Sequence, residues 1–350
     1  MTSPVHTDNA ARPLRAKGHA TQRRLLGIAA LIAALCLVLV LSITYGANPV
    51  PMSEVWRTVF DSDGSEASSI VWTLRAPRTL VGIVAGAAFG VAGALIQAIT
   101  RNPLADPGIL GVNAGAGFAI TVGVAVFGVT GIAGYVWFSF AGAVLATVLV
   151  YLIGASGRGS ASPVTLVIAG VALAAVLTAF ATFLQLINEE TFRSFRNWSL
   201  GSLARVSVSD TLTVLPLIVL GLVLAVVISG SLNAVALGDD QAASLGANIA
   251  RTRTIGLISV TLLAGAATAL TGGIAFVGLA VPHLVRWFTG PDQRWIIAYT
   301  ALASPVLVLS ADVLGRVVAR PGEIEAGVMT AVLGAPVLIA LVRRRKASTL

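Results

Sequence analysis

Long runs of apolar residues, separated by short polar segments, dominate the pattern along this chain. About 20 apolar residues in a helix cross the hydrocarbon core of a bilayer, and ten stretches approach that length. They lie at about 25–45, 77–99, 109–128, 132–153, 163–187, 211–229, 252–271, 274–290, 295–318 and 324–342. The pattern therefore predicts an all-α integral membrane protein. We expect the eighth stretch to be short or broken, because Gly272-Gly273 opens it and Pro282 interrupts it.

Small residues recur along the second stretch, where Gly82, Gly86 and Gly90 stand four residues apart and Gly93 follows. Residues at this spacing share a helix face, and small side chains let neighbouring helices approach closely in lipid. The ridge predicts tight helix packing, with a surface that slides during conformational change as the alternative.

Basic residues set the predicted orientation, because Lys and Arg accumulate in cytoplasmic loops. With ten spans and the N-terminus inside, 15 of the 23 basic residues fall on the inner side, including the tail of residues 1–24 and the run 343–346. An odd number of spans would place that last run outside. We therefore predict a basic cytoplasmic tail at 1–24, a transmembrane domain at 25–344, and a cytoplasmic tail end at 345–350.

Composition excludes several classes of protein. Hydrophobic residues make up 56% of the chain and charged residues 11%, with a mean hydropathy of +0.90, so a soluble domain is excluded. The net charge of +8 lies between and outside the apolar stretches rather than on one soluble face, which argues against a nucleic-acid partner. One cysteine and three dispersed histidines predict neither a metal site nor a bound cofactor.

Energy coupling has to come from a partner if the chain transports a solute. A phosphate-binding loop needs a lysine after a glycine-rich turn, and Lys17 and Lys346 lie in no such setting. The stretches also lack the chains of charged residues expected of a proton relay. An enzyme is disfavoured because no acid, base, nucleophile and metal set converges within the stretches.

A short polar segment at about 238–250 follows the sixth stretch, on the predicted inner side. Asp239 and Asp240 suit the positive end of a helix dipole, and Gly246 can end a short helix. A partner's cleft could bind such a helix. An ordinary amphipathic connector is the alternative.

Seven short motifs follow one another between residues 74 and 344. They are Arg75–Leu80, Gly93–Gln97, Arg101–Gly111, Trp198–Ser202, Leu237–Gly246, Phe276–His283 and Gly334–Pro336. In these motifs the chain resembles the FecCD family of ABC-transporter permeases. The resemblance implies a type II importer bundle of about ten helices, without enzymatic activity of its own.

The same resemblance implies the partners and the cargo. The expected partners are a pair of ATP-binding ABC ATPase subunits, an extracytoplasmic substrate-binding protein or lipoprotein, a second permease subunit and membrane lipids. The expected cargo is an iron(III)–siderophore complex imported across the cytoplasmic membrane, with cobalamin or haem as alternatives. An ion-coupled secondary transporter is the alternative of another class.

Three arginines are implied as docking residues for the binding protein, namely Arg75, Arg78 and Arg316. The first two lie three residues apart, so an exposed guanidinium pair on one helix face could receive a carboxylate. Lipid-phosphate contacts are the alternative, and a local pair between Asp312 and Arg316 competes with docking.

The resemblance also implies coupling and gate residues. The coupling residues that would contact the ATPase are Gly238, Asp239, Asp240, Ala242, Ala243, Leu245 and Gly246. The expected gate and pathway residues are Gln97, Asn102, Leu104, Ser160 and Ser162. Asn102-Pro103 and the following Asp106-Pro107-Gly108 are also simple turn signals, which is the alternative reading of that loop. For the polar segment 188–208 the resemblance implies a short outer gating helix.

Overall fold

The computed structural model describes residues 13–61, 64–155 and 163–345, and these ranges contain helices and turns without a β-strand. The α-helices in chain order are α1 Pro13–Thr44, α2 Met52–Phe60, α3 Glu66–Ser69, α4 Ala76–Thr100, α5 Val112–Phe127, α6 Ile132–Ala155, α7 Pro163–Ile187, α8 Glu189–Ser199, α9 Val208–Ala236, α10 Asp239–Ser244, α11 Ile249–Thr271, α12 Val277–Thr289, α13 Gln293–Val318 and α14 Ala326–Arg345. A π-helical turn spans Ile70–Arg75 and a 3₁₀ turn spans Pro107–Leu110.

Each of the ten predicted stretches is helical, as α1, α4 to α7, α9 and α11 to α14. Seven helices in the described ranges are long and apolar enough to cross a membrane by length and composition. The shorter apolar ones are α5 and the Ala326–Ala340 part of α14. Helix α12 has 13 residues, which confirms the short eighth element expected from the glycine pair and Pro282. The all-helical membrane fold is confirmed.

The second span begins earlier than the sequence predicts. Continuous helix runs over 35 residues from Glu66 to Thr100, whereas the expected start was Pro77. A proline inside an α-helix clashes with the carbonyl four residues before it. Here a wider π turn ends just before α4, and Pro77 occupies the second position of the α-helix that follows. Arg75 therefore lies inside a helical element rather than at an exposed helix start.

Helices α4 and α11 form the centre of the bundle. In each, 78% of the most apolar 18-residue window is buried, compared with 56% in α13, 22% in α7 and 11% in α1. Their mutual contact is extensive, and α9, α12 and α13 pack around them. The outward faces of α1 and α7 are left for lipid or partner subunits.

The glycine ridge of α4 packs against backbone and small side chains of α12 and α13. A Cβ added at Gly86 would lie 2.8 Å from Pro305 Cα, and one at Gly90 would lie only 2.6 Å from Ser304 Cβ. At Gly93 an added Cβ would overlap the carbonyl oxygen of Gly278. This confirms the tight packing predicted from the spacing, while the sliding alternative stays a prediction.

Substitution along this ridge tests the packing. We expect Gly93→Ala to destabilise the protein by about 1–3 kcal/mol, because its new methyl group meets backbone that cannot rotate away. Gly82→Ala is the matched control in the same helix, since its nearest neighbour is the flexible side chain of Leu309. In thermal unfolding followed by tryptophan fluorescence in detergent, Gly93→Ala should melt about 3 °C or more below Gly82→Ala. Equal melting temperatures would contradict this packing.

Candidate functional site

Arg75 is buried against the end of α1. Its Nη1 donates to the carbonyl oxygens of Ile43 and Thr44 at 2.9 and 2.7 Å, and its Nη2 donates to that of Asn48 at 2.8 Å. The last carbonyls of a helix lack partners within the helix, so a guanidinium group with several donors can satisfy them together. Arg75 thus fastens the π turn before α4 to the end of α1.

Arg78 and Arg316 share one buried carboxylate, that of Asp312. Arg78 Nε donates to Asp312 Oδ1 at 2.8 Å, and Arg316 Nη2 lies 2.8 Å from Asp312 Oδ2. Arg78 Nη1 also donates to Glu323 Oε2 at 2.5 Å. Asp312 is fully buried, whereas the Glu323 side chain is 39% exposed. These two cations and two carboxylates therefore form one network, which reaches solvent at Glu323. We call Arg78, Arg316, Asp312 and Glu323 the Asp312 network.

Burial of these three arginines corrects the expectation of an exposed guanidinium pair. Arg75, Arg78 and Arg316 are 3%, 6% and 2% exposed, and Arg75 and Arg78 contact different groups despite their spacing. Arg316 Nη1 donates to the carbonyl oxygens of Ser42 and Tyr45, as Arg75 does to its neighbours. The competing pair of Arg316 with Asp312 is present. The docking role itself stays a prediction.

The segment after α9 forms the predicted short helix, α10. Gly238 and Gly246 have φ values of 116° and 80°, where glycine is favoured over residues with a Cβ. Asn248 then caps α11, as its Oδ1 accepts from the Arg251 N–H at 2.9 Å. Among the coupling candidates Ala242 is buried, while Asp240, Ala243, Leu245 and Gly246 are exposed. This exposed face lies at the end of the bundle opposite the Asp312 network, because Arg78 and Arg101 stand at opposite ends of α4.

Asp239 holds α10 against the bundle through two arginines. It accepts a short hydrogen bond from Arg101, which caps α4, and bonds from Arg253 Nη2 at 3.0 and 3.1 Å. Arg101 Nε also donates to the carbonyl oxygen of Val235 at 2.9 Å. Partial burial would raise the pKa of Asp239. The positive charges and hydrogen bonds of Arg253 and Arg101 stabilise the carboxylate, however, and lower the pKa below its ordinary value. We call Asp239 with Arg101 and Arg253 the Asp239 clamp.

Sequence reasoning missed the clamp. It counted Arg101 and Arg253 among the basic residues of the inner side, and Arg101 also as the start of the Arg101–Gly111 motif. Nothing local links either arginine to Asp239, since Arg101 is 138 residues away along the chain. The only available signal was their assignment to the same side of the membrane.

The predicted gate residues do not form one surface. Asn102 and Leu104 are exposed on the loop after α4, where Asn102 Oδ1 accepts from the Leu104 N–H at 3.0 Å, as in a simple turn. Gln97 is 2% exposed, and its Nε2 donates to the carbonyl oxygens of Gly278 and Leu279 at 3.2 Å. Ser160 and Ser162 lie outside the described residues.

The polar segment after α7 contains a helix, α8, as expected. Asn188 caps it by accepting from the Thr191 N–H at 3.0 Å. Arg193 pairs with Glu189 on the exposed face, and Arg205 lies 3.7 Å from Glu325. Within the described ranges, no three His, Cys, Asp or Glu side chains come together as a metal ion would require.

Acid titration of the Asp239 clamp gives a prediction. Because the pKa of Asp239 is lowered, its ion pairs are fully present above the ordinary carboxyl value of about 3.9 and are lost only as the pH falls through the lowered value. Hydrogen exchange of amides 239–247, corrected for intrinsic rates, should therefore be unchanged between about pH 5 and pH 8. Asp239→Asn should speed that exchange roughly two- to fivefold at every pH, as for a partly exposed ion pair. Asp240→Asn is the control, and equal exchange in both variants would contradict the clamp.

Comparisons with known proteins agree in pointing to one family. Residues 32–344 match the FecCD transport family. The chain is 44% identical to the ferric enterobactin transport system permease protein FepD of Escherichia coli, over 94% of this chain and 98% of that protein. It is 33% identical to the hemin transport system permease protein HmuU of Yersinia pestis, over 90% and 96% of the two chains. A solved structure described as an inward-facing metal-chelate type ABC transporter superposes with a TM-score of 0.80 at 26% identity, over 92% of this chain and 99% of the other. The chain is therefore a member of the FecCD transport family.

Proposed function

We propose that this chain is the permease subunit of an ATP-driven importer that carries iron(III)–siderophore complexes across the cytoplasmic membrane. The observation that carries the proposal is the 44% identity to the ferric enterobactin permease over nearly the full length of both chains. Cobalamin and haem remain alternative cargoes. Haem has less support than an iron–siderophore complex, because the identity to the hemin permease is 33% and that to the enterobactin permease is 44%.

The importer would assemble from two permease subunits, two ATP-binding subunits and an extracytoplasmic binding protein. The Asp239 clamp and the Asp312 network lie at opposite ends of the bundle, which leaves one end for each kind of soluble partner. The excess of basic residues near the clamp end supports a cytoplasmic position for it and for both termini.

Docking of the binding protein would occur at the Asp312 network. Arg78 is the arginine of this network that meets a partly exposed carboxylate, since Glu323 occupies its outer face. A carboxylate of the binding protein could pair with Arg78 only by displacing Glu323. Arg75 and Arg316 would act by holding the network in place, because their donors are occupied by the end of α1.

Neutralising Glu323 tests this docking site. If a partner carboxylate replaces Glu323, Glu323→Gln should tighten binding of the loaded binding protein by about threefold to tenfold, because the internal competitor loses its charge. Glu325→Gln is the matched control, as Glu325 belongs to the same segment but lies near Arg205. Affinity would be measured by surface plasmon resonance on permease in nanodiscs. Unchanged affinity in Glu323→Gln would refute docking through Arg78.

Coupling to the ATPase would use the exposed face of α10. Asp239 joins this helix to Arg101, and the proposed gate residues Asn102 and Leu104 follow Arg101 directly. A movement of α10 driven by the ATPase would therefore pull on the gate loop through the Asp239 clamp. Gln97 would transmit this movement to α12 through its hydrogen bonds to Gly278 and Leu279.

Transport assays test the function and the coupling surface together. Proteoliposomes that hold the complete complex should take up ⁵⁵Fe-enterobactin only with ATP, and an imposed ion gradient alone should give no uptake. Leu245→Glu should reduce uptake at least about tenfold, because a charge on the exposed Leu245 would disrupt an apolar contact with the ATPase. Phe60→Glu is the control, since Phe60 is an apolar residue at the opposite end and is 85% exposed, compared with 67% for Leu245. Uptake without the ATPase would instead support an ion-coupled transporter, and preferred uptake of cobalamin or haem would change the cargo.

A further inference from the structure

A deep apolar groove runs along the outside of the bundle between α1 and α12. Both helices pack on α13, but they barely contact each other, so α13 forms the floor of the groove and the other two helices form its walls. The groove has a volume of about 630 Å³. Its walls and floor include Ala30, Leu284, Val285, Ala303 and Leu307.

One end of the groove is closed by polar contacts of Arg24 in α1 with residues at the end of α12 and in α13. Arg24 Nη2 donates to the carbonyl oxygen of Thr289 at 2.9 Å, and the Tyr299 hydroxyl donates to the carbonyl oxygen of Arg24 at 2.5 Å. The Arg24 guanidinium also lies 5.4 Å from the centre of the Trp295 ring, a cation–π distance. These contacts join α1 to α12 and α13 at this end of the groove.

The length of the groove corresponds to one leaflet of a bilayer. On α13 its lining runs from Tyr299 to Ser310, which is about 16 Å at 1.5 Å per residue. Half of a hydrocarbon core of about 30 Å is about 15 Å. The groove therefore matches in length an extended acyl chain of one leaflet.

A cation and two aromatic rings stand at the closed end of the groove. Arg23 lines it and is exposed, and it has no hydrogen-bond or ion-pair partner among the residues that the structure describes. Trp287 and Phe288 are 54% and 75% exposed at the same end, as in the aromatic belt of a membrane interface. This is the end that the basic residues assign to the cytoplasm, where the leaflet carries anionic lipids.

We propose that this groove is a binding site for an anionic phospholipid of the cytoplasmic leaflet. One acyl chain would lie between α1 and α12 on the floor of α13. The phosphate group would pair with Arg23 at the interface. The bound lipid would complete the packing of α1, of which only 11% of the apolar window is buried by protein. This proposal is independent of the cargo and of the docking and coupling sites.

Lipid titration of the purified full-length chain tests the charge. In native mass spectrometry, Arg23→Gln should lower the affinity of the protein for the most tightly bound phosphatidylglycerol about fivefold. The affinity of this variant for phosphatidylcholine should equal that of the unaltered protein. Arg23→Lys should keep the preference for phosphatidylglycerol. Arg251→Gln removes an equally exposed charge at the same end, away from the groove, and should have no effect. Unchanged phosphatidylglycerol binding in Arg23→Gln would overturn the proposal.

Two further variants test the groove itself. Ala303→Phe fills the floor without changing charge and should weaken binding of both lipids at least about fivefold, since the acyl chain loses its contact surface. Normal binding in that variant would overturn the groove as the seat of the lipid. Ala30→Cys in a Cys36→Ala background, which removes the natural cysteine, tests occupation by a second copy. A disulfide-linked dimer through position 30 would overturn the lipid in favour of a protein interface, and a monomer after oxidation supports it.

Discussion

Backbone groups cannot reach water inside a bilayer, and this constraint explains both the helices and the way they pack. Every span satisfies its own backbone as a helix, so the helices can only be held together by close contact and by polar groups at their ends. Helix α4 shows the first of these. Its glycines bring it against the backbones of α12 and α13, where an added methyl group would overlap Gly278 or Pro305. Contact at this distance gives dispersion energy that lipid cannot replace.

Polar groups at the helix ends also hold the helices together. The last carbonyl groups of a helix have no partner within it, and Arg75 and Arg316 supply donors to those of Ser42, Ile43 and Thr44 in α1 and to that of Tyr45 just after it. Burying these cations is costly unless carboxylates and hydrogen bonds compensate. Asp312 provides that compensation for Arg78 and Arg316 together. Removing Asp312 would leave Arg316 buried without a carboxylate, so this end of the bundle depends most on Asp312.

Hydropathy and punctuation predicted the positions of the ten apolar helices, the short α12, and the glycine-bounded α10, because these features depend on local sequence. They could not predict the burial of Arg75, Arg78 and Arg316. Arg78 meets Asp312 across 234 residues, and the same i,i+3 spacing would suit an exposed pair equally well. The early start of the second span was also missed, since Pro77 resembles an ordinary first-turn proline and nothing local indicates a π turn. Tertiary contacts decide both features, and the local pattern of a single sequence does not indicate which distant residues are in contact.

Helix α4 connects the two polar ends of the molecule. Arg78 lies in its first turn and belongs to the Asp312 network, whereas Arg101 caps its last turn and belongs to the Asp239 clamp. The helix between them has 25 residues, or about 37 Å, and is buried along most of its length. A displacement of α4 as one unit would therefore both break the contact of Arg78 with Glu323 and shift Arg101 relative to α10. In this arrangement the two ends do not need a chain of intervening side chains to influence each other, because one helix carries a member of each network.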